Sequence, residues 1–285
     1  MGFHKEYLIQ DYGLRITERV SSLTLQKMLD LKGKTAIVTG GAGHLGKSMA
    51  EVLAELGASV IVCGRDLKKC EKLVDRLNRE FKGKSSALEL DIGSTESVNQ
   101  FREEVIKLCG SIDILVNNAY FGAGRDILSM TQDDWRIGIE GSVSSVFRMI
   151  KAFLPEMIEK NKGSIINIAS MYGVVSPDVS IYEDNSFYNP PNYGAGKAAI
   201  IQLTKYVACV YGKYGVRCNS VSPGPFPSEL VQEDKQFINR LELKTPLGRI
   251  GIPYELKGVI ALLASDASSF INGANIVVDG GWTAW

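Results

Sequence analysis

KTAIVTGGAGHLGKSMAEVLAEL, residues 34–56, decides how the rest of the chain is read. Thr35, Ile37, Val38 and Thr39 form a short β-branched run, followed by glycines at Gly40, Gly41, Gly43 and Gly46. Apolar residues then recur at Leu45, Met49, Val52, Leu53 and Leu56. The pattern predicts a buried strand, a glycine-rich turn and an amphipathic helix. Glycine permits positive φ and lets a ligand approach the backbone. The free N–H groups at a helix start suit an anion such as a pyrophosphate. A tight turn whose glycines serve only packing is the competing reading, since isolated glycine motifs are common. The remaining chain favours the first.

Across 285 residues, 45% are apolar and 22% charged, the balance of a globular protein with ample core. Thirty-two basic residues offset thirty-two acidic ones. Nothing in that balance points to nucleic acid or a membrane surface as a partner. The five cysteines form no CxxC pair, and with only His4 and His44 as histidines no metal site is expected. A reducing compartment fits. The first twenty residues are broken by charges throughout, and no uncharged apolar run reaches the length of a membrane span. A soluble cytoplasmic protein is expected.

Residues 1–30 read as an N-terminal extension in which Leu14, Ile16, Val20, Leu23 and Leu25 could line a short helix. From Leu31 onward strands and helices alternate. Strands are expected at Ser59–Cys63, Ala87–Leu90, Ile112–Val116, Ser164–Ile168, Val216–Val221 and Asn275–Val278. Helices are expected at Lys68–Phe81, Ser94–Cys109, 132–159 with an interruption near Gly141, Ala195–Tyr211 and Pro253–Leu263. Strands this apolar, separated by helices, indicate a parallel sheet covered on both faces. The expected fold is therefore α/β: one Rossmann-like, doubly wound domain of about seven strands over residues 31–285, with its ligand at the strands' carboxyl ends.

Tyr193 and Lys197 stand at i and i+4, one turn apart on one helix face. A tyrosine with a pKa near ~10 is a poor acid or base at neutral pH. A fixed ammonium and an oxidised nicotinamide would favour the phenolate, and a shift of roughly 3 units needs about 4 kcal/mol of differential interaction. Ser170 stands just past the fifth strand, where its hydroxyl could bond a substrate oxygen.

Together with TGGAGHLG at 39–46, Asp91-Ile92, Asn117-Asn118-Ala119, Ser222-Pro223-Gly224 and Val278-Asp279-Gly280-Gly281, these residues resemble the short-chain dehydrogenase/reductase family over about residues 30–285. Each motif is weak alone, but they occur in the family's order on the expected elements. The resemblance implies that Tyr193 is the general acid/base, that Lys197 lowers its pKa and holds the nicotinamide ribose, and that Ser170 polarises the substrate oxygen. Hydride transfer is the cofactor's chemistry. The implied cofactor-binding set is Gly40, Gly43, His44, Leu45, Gly46, Arg65, Asp91, Ile92, Asn118, Tyr193, Lys197, Pro223 and Gly224. Asp91 and Ile92 would flank the adenine, Asn118 the adenosine ribose, and Pro223-Gly224 the nicotinamide. Homodimers or homotetramers through helices 132–159 and 195–211 are implied too; Ala198, Ile201 and Ala208 are consistent with such contacts and equally with packing inside the chain. Residues Pro225–Leu247 would cover the substrate with Phe226, Leu230, Phe237 and Leu241.

Four departures stand out. His44 occupies the middle glycine of the core branch's TGxxxGxG, and the spacing Gly40, Gly43, Gly46 is similar to the extended branch that includes sugar-nucleotide epimerases and dehydratases. Its imidazole is expected to face solvent rather than a phosphate. Tyr120 follows Asn117-Asn118-Ala119 where glycine is usual, and could border the substrate pocket or pack the next loop. Ser142 falls where the family has a catalytic asparagine that holds a water linking the lysine to solvent. It is counted with the catalytic set, though the relay is in question. Finally, Ser170 and Tyr193 stand 23 positions apart, further than in most core members. The surplus within 177–192 contains three prolines, three acidic residues, three asparagines and three aromatics. That content suits a hydroxylated substrate such as a sugar, sugar acid or polyol, and a plain surface loop is the alternative.

At the end of the second strand Gly64 stands where an acid would accept from the ribose 2′-OH of NAD, and Arg65 follows. An arginine fork pairs with a 2′-phosphate, so NADP is expected, while Asp66 keeps NAD open. The expected activity is an NADP(H)-dependent oxidoreductase interconverting a carbonyl and a secondary alcohol on a small hydroxylated molecule. The alternatives are a sugar-nucleotide epimerase or dehydratase, and a cofactor-binding regulator with weakened catalysis.

Overall fold

The computed structural model describes residues 24–182 and 189–285. The expected helix around Leu14, Ile16, Val20 and Leu23, and residues 183–188 of the long insertion, lie outside the described residues. Leu25 opens a short helix, α1 (Leu25–Leu29), and is 66% exposed.

Seven strands form one sheet: β1 Thr35–Thr39, β2 Ser59–Gly64, β3 Ser86–Glu89, β4 Ile114–Asn117, β5 Gly163–Ile168, β6 Val216–Pro223 and β7 Asn275–Val278. Their order is β3-β2-β1-β4-β5-β6-β7, and every neighbouring pair is parallel. This is the doubly wound Rossmann-like arrangement read from the sequence. The order reverses between β1 and β4, the switch point at whose carboxyl end such sheets bind ligands.

Alternation along each buried strand feeds two cores, one on each face. Val38, Val60 and Val62 pack under α2 (Gly46–Glu55), α3 (Leu67–Phe81) and, towards the C-terminus, α9 (Lys257–Ala264), through Met49, Leu53, Leu77 and Leu263. Ile37, Leu115 and Ile165 face α4 (Thr95–Cys109), α6 (Ser145–Glu159) and α7 (Pro191–Tyr211). Phe101 and Phe153 meet edge to face there, with ring centres 6.0 Å apart.

The expected helix 132–159 is two helices, α5 (Gln132–Ile139) and α6, joined by a π turn over Glu140–Ser144. A side chain at Gly141 would collide with the Phe121 carbonyl, so the loop after β4 is pressed against that turn. The helix expected from Ala195 begins at Pro191, because proline is well tolerated at the first helical position, where no N–H is required. The covering segment forms α8 (Lys235–Lys244). Its Phe237 and Leu241 are buried, but Leu230 is 74% exposed and does not face inward. Ala208 is buried in the core beneath α7, so it is no surface contact. No helix among the described residues is long and apolar enough to cross a membrane.

Gly46 marks the tightest contact of the first crossover: a Cβ there would lie 2.2 Å from the Gly40 carbonyl and 2.8 Å from Asn118 Nδ2. Gly46→Ala should lower stability by about 2–3 kcal/mol, read as a reduced urea midpoint at unchanged m. A wild-type midpoint would show that the turn relaxes around the added methyl.

Candidate active site

The glycine turn is built by its neighbours. Gly40 has φ +60°, a left-handed conformation that side chains disfavour. Thr39 Oγ1 accepts from the backbone N–H groups of Asn118 and Ala119 at 2.9 and 3.0 Å. Asn118 Nδ2 donates back to the Thr39 carbonyl at 2.9 Å and to Gly40 at 3.2 Å. The ends of β1 and β4 are thus tied across the switch point. The Nδ2 of Asn118, expected at the adenosine ribose, is engaged in this tie, and the residue also lines the cleft. No side chain caps the N-terminus of α2, which leaves the turn's open side for a ligand.

A cleft of about 450 Å³ runs over the carboxyl ends of the strands. Gly40, Gly43, His44 and Leu45 line it at the turn, and Arg65, Asp91 and Ile92 at one end. Ser170, Tyr193, Lys197, Pro223 and Gly224 line the other. Gly46 and Ser142 do not border it. Gly46 acts through packing. Ser142 is buried in the π turn, its hydroxyl donating to the Gly138 carbonyl at 2.7 Å and that of Ile139 at 3.2 Å, against Gly196. A hydroxyl two bonds from the backbone reaches its own helix, where an asparagine amide would extend further.

His44 is exposed, as the sequence reading expects, yet its imidazole is also tied to the protein. Its Nε2 lies 3.1 Å from the Phe226 carbonyl, and since a carbonyl only accepts, Nε2 is the donor. The imidazole straps the glycine turn to the segment after β6. Asp66 caps α3, accepting from the Lys69 N–H at 3.0 Å, so its carboxylate serves the helix while Arg65 lines the cleft.

Ser170 lies just past the strand β5 and is buried, its Oγ accepting from the Tyr172 N–H at 3.1 Å. It also shares a hydrogen bond with Tyr193. Lys197 is buried, and Nζ donates to the Ile168 carbonyl at 2.8 Å. Burial lowers its pKa to about 8. In the protein alone, burial raises the phenol of Tyr193 and the hydrogen bond with Ser170 offsets only part of that, whereas the lowering expected from the sequence counts on an oxidised nicotinamide beside the ammonium. Lys197 Nζ lies 5.6 Å from the Tyr193 ring centre and 5.4 Å from that of Tyr120. Tyr120 meets Tyr193 edge to face at 5.1 Å and lines the cleft, so the aromatic after Asn117-Asn118-Ala119 does border the site.

Sequence reasoning missed Asn192. It is fully buried, and its Nδ2 donates to the carbonyls of Ala123 and Asp134 at 3.2 and 2.8 Å, anchoring the start of α7. Its only sequence signal was adjacency to Tyr193. It also missed Tyr172 and, within the flagged insertion, the particular roles of Tyr182 and Asn189. All three line a smaller cavity beside Ser170 and Tyr193.

A glycine cradle, an uncapped helix start and a continuous cleft ending at a serine, a tyrosine and a lysine fit a bound dinucleotide. The comparisons agree. The family model described as enoyl-(acyl carrier protein) reductase matches residues 40–283. An uncharacterized oxidoreductase, YxbG, of Bacillus subtilis is 36% identical over 265 residues, 90% of this chain and 93% of the relative. The 3-oxoacyl-[acyl-carrier-protein] reductase FabG of Vibrio cholerae is 33% identical over 255 residues, 89% and 98% of the two chains. Among solved structures, a gluconate 5-dehydrogenase from Burkholderia cenocepacia in complex with NADP and tartrate superposes with TM-score 0.83 at 30% identity, covering 92% of this chain and 100% of that one.

The lysine has a thermodynamic signature. Below pH 8 both folded and unfolded chains carry the ammonium. Between about 8 and 10.5 the unfolded chain retains a proton that the folded one has released. Stability of the wild type relative to Lys197→Met should therefore rise with pH across that window, at up to about 1.4 kcal/mol per pH unit. Urea unfolding from pH 7 to 10 measures it, and a flat difference would contradict a desolvated Lys197.

Proposed function

The chain belongs to the short-chain dehydrogenase/reductase family, and from that premise we propose that it is an NADP(H)-dependent oxidoreductase interconverting a carbonyl and a secondary alcohol on a small hydroxylated substrate. The observation that carries this reading is one continuous cleft with Arg65 at one end and Ser170, Tyr193 and Lys197 at the other. The relatives support it in kind: one is named for reducing a 3-oxoacyl group and another for gluconate, with NADP bound.

The chemistry that a bound nicotinamide supplies is the hydride for the carbonyl carbon. The chain's residues handle the proton. A buried phenol with a raised pKa stays protonated at neutral pH, which suits Tyr193 to deliver its proton to the carbonyl oxygen. Ser170 donates to the same oxygen and stabilises the charge developing on it. Lys197, held by the Ile168 carbonyl, is the cation beside the phenolate left behind, and a pKa near 8 keeps it mostly charged at neutral pH. Gly40, Gly43, His44 and Leu45 would hold the pyrophosphate, Asp91, Ile92 and Asn118 the adenosine, and Pro223 and Gly224 the nicotinamide. Ser142 is left to position α7 through Gly196 rather than to touch the reacting atoms.

Arg65 is read as the partner of a 2′-phosphate because Asp66, the NAD-type alternative, is engaged as a helix cap. A homodimer or homotetramer through α6 and α7 belongs to the same reading; Phe147, Tyr206 and Val210 are exposed apolar residues there. So do the cytoplasmic setting and the division into a 1–30 extension and a 31–285 catalytic domain.

Two substitutions test the proposal. Tyr193→Phe should lower turnover about 10²–10⁴-fold while NADPH still binds; surviving turnover would remove Tyr193 from the role. Arg65→Ala should weaken NADPH about 10–100-fold, the loss of a charge-assisted contact, and leave NADH unchanged in a fluorescence titration. Equal effects on both cofactors would reject the 2′-phosphate assignment.

A further inference from the structure

Beside the cofactor cleft lies a second, smaller cavity of about 190 Å³ that also contains Ser170 and Tyr193. Ligand pockets of ordinary size hold about 300–1,000 Å³, so this one suits a compact molecule. Its far side is a hydrogen-bonded row. Asn189 Nδ2 donates to the Tyr182 hydroxyl at 2.9 Å, and the Tyr182 and Tyr172 hydroxyls lie 2.9 Å apart. The same three residues border, on their other side, a larger and mainly apolar cavity of about 650 Å³ that includes Ile127, Val174 and Val179. Among the described residues, therefore, one polar wall stands between the catalytic pocket and an apolar space.

Two of the wall's three members come from the insertion between Ser170 and Tyr193, and the wall is braced from behind. Tyr182 is 6% exposed and packs on Phe237 of α8 with ring centres 5.5 Å apart. Arg240 Nε donates to the Ile181 carbonyl at 2.8 Å, and Lys244 pairs with Asp178. Met171, Tyr172, Tyr182, Phe237, Leu241 and Trp282 form a third core, separate from the two that cover the sheet. A side chain held at this many points presents fixed polar atoms, which is the condition for discrimination by shape and hydrogen bonding.

We propose that Tyr182 and Asn189 are specificity-determining residues: from the described ends of the insertion, a phenol and an amide close the far end of the catalytic pocket. The wall meets the hydroxyl-bearing end of a short carbonyl substrate and turns away substrates with an extended alkyl tail. This rests on the carbonyl reduction assigned to Tyr193 and adds the part of the substrate that the chain reads. The discrimination has two sources. An alkyl tail reaching the wall would strip water from this hydrogen-bonded row and give no polar contact in return, whereas a substrate hydroxyl would extend the row.

Steady-state kinetics with NADPH on two substrate types tests the wall: a keto sugar acid, and a ketone carrying a long alkyl chain. Tyr182→Phe and Asn189→Ala should raise KM for the keto sugar acid about tenfold, the equivalent of one hydrogen bond, with a much smaller change in kcat. Tyr182→Ala joins the two cavities and should gain turnover on the alkyl ketone. Tyr182→Phe keeps the packing on Phe237, so it remains informative if the alanine variant folds poorly. Wild type that reduces the alkyl ketone as well as the keto sugar acid, or variants that leave the preference and KM unchanged, overturn the wall while the carbonyl reduction stands. Wild type inert towards both substrates overturns the underlying reading and the wall with it.

Discussion

The tie between Thr39 and Asn118 is the contact on which the rest of the molecule depends. Doubly wound sheets leave a crevice where the strand order reverses, here between β1 and β4. Left alone, two strand ends and a glycine turn would be the most flexible part of the fold. Four hydrogen bonds between Thr39, Gly40, Asn118 and Ala119 fix them together instead. The left-handed Gly40 and the contact-limited Gly46 can then hold the start of α2 against the turn, its backbone N–H groups open to the cleft. The position of the glycine cradle is therefore set by β4 as much as by β1.

At the other end of the cleft the governing term is desolvation. Holding Lys197 in the interior with a pKa near 8 costs roughly 3 kcal/mol relative to water. The Ile168 carbonyl and the faces of Tyr120 and Tyr193 are its compensation. The same burial keeps Tyr193 protonated, which opposes the simple picture of a lysine that only acidifies a tyrosine. In the protein alone the pair is balanced towards giving a proton, and the reverse direction depends on positive charge that arrives with an oxidised cofactor. The serine at 142 has a structural part here: its hydroxyl bonds within the π turn, against which Gly196 of α7 is packed.

Much of this was legible in the sequence, for identifiable reasons. Residues 34–56 combine β-branched, glycine and helical-period residues within one crossover, and that local pattern fixes strand, turn and helix whatever the rest does. Alternating apolar runs fixed the sheet for the same reason. The helix–π–helix break near Gly141 was visible because glycine there has no helical advantage. What could not be read were contacts between residues distant in the chain. The exposure of His44 agrees with its sequence reading, but its acceptor, the Phe226 carbonyl, lies far along the chain and has no local signal. Ser142 occupied the family's catalytic position, but its short side chain selects its own backbone. Leu230 was placed over the substrate because a loop has no period that tells an inward side chain from an outward one. The Tyr172–Tyr182–Asn189 row spans an insertion whose composition advertised a polar, aromatic role without saying which residues would meet.

The central claim is that one cleft binds a phosphorylated dinucleotide from Arg65 to Tyr193 with its reactive end between Ser170 and Lys197. A crystal structure of the protein with NADP is the most direct measurement. The account predicts the 2′-phosphate on the Arg65 guanidinium, the pyrophosphate over Gly40–Leu45 and the nicotinamide ribose within hydrogen-bond reach of Tyr193 and Lys197. Adenosine ribose hydroxyls held by Asp66, or a nicotinamide lying away from Tyr193, would contradict it.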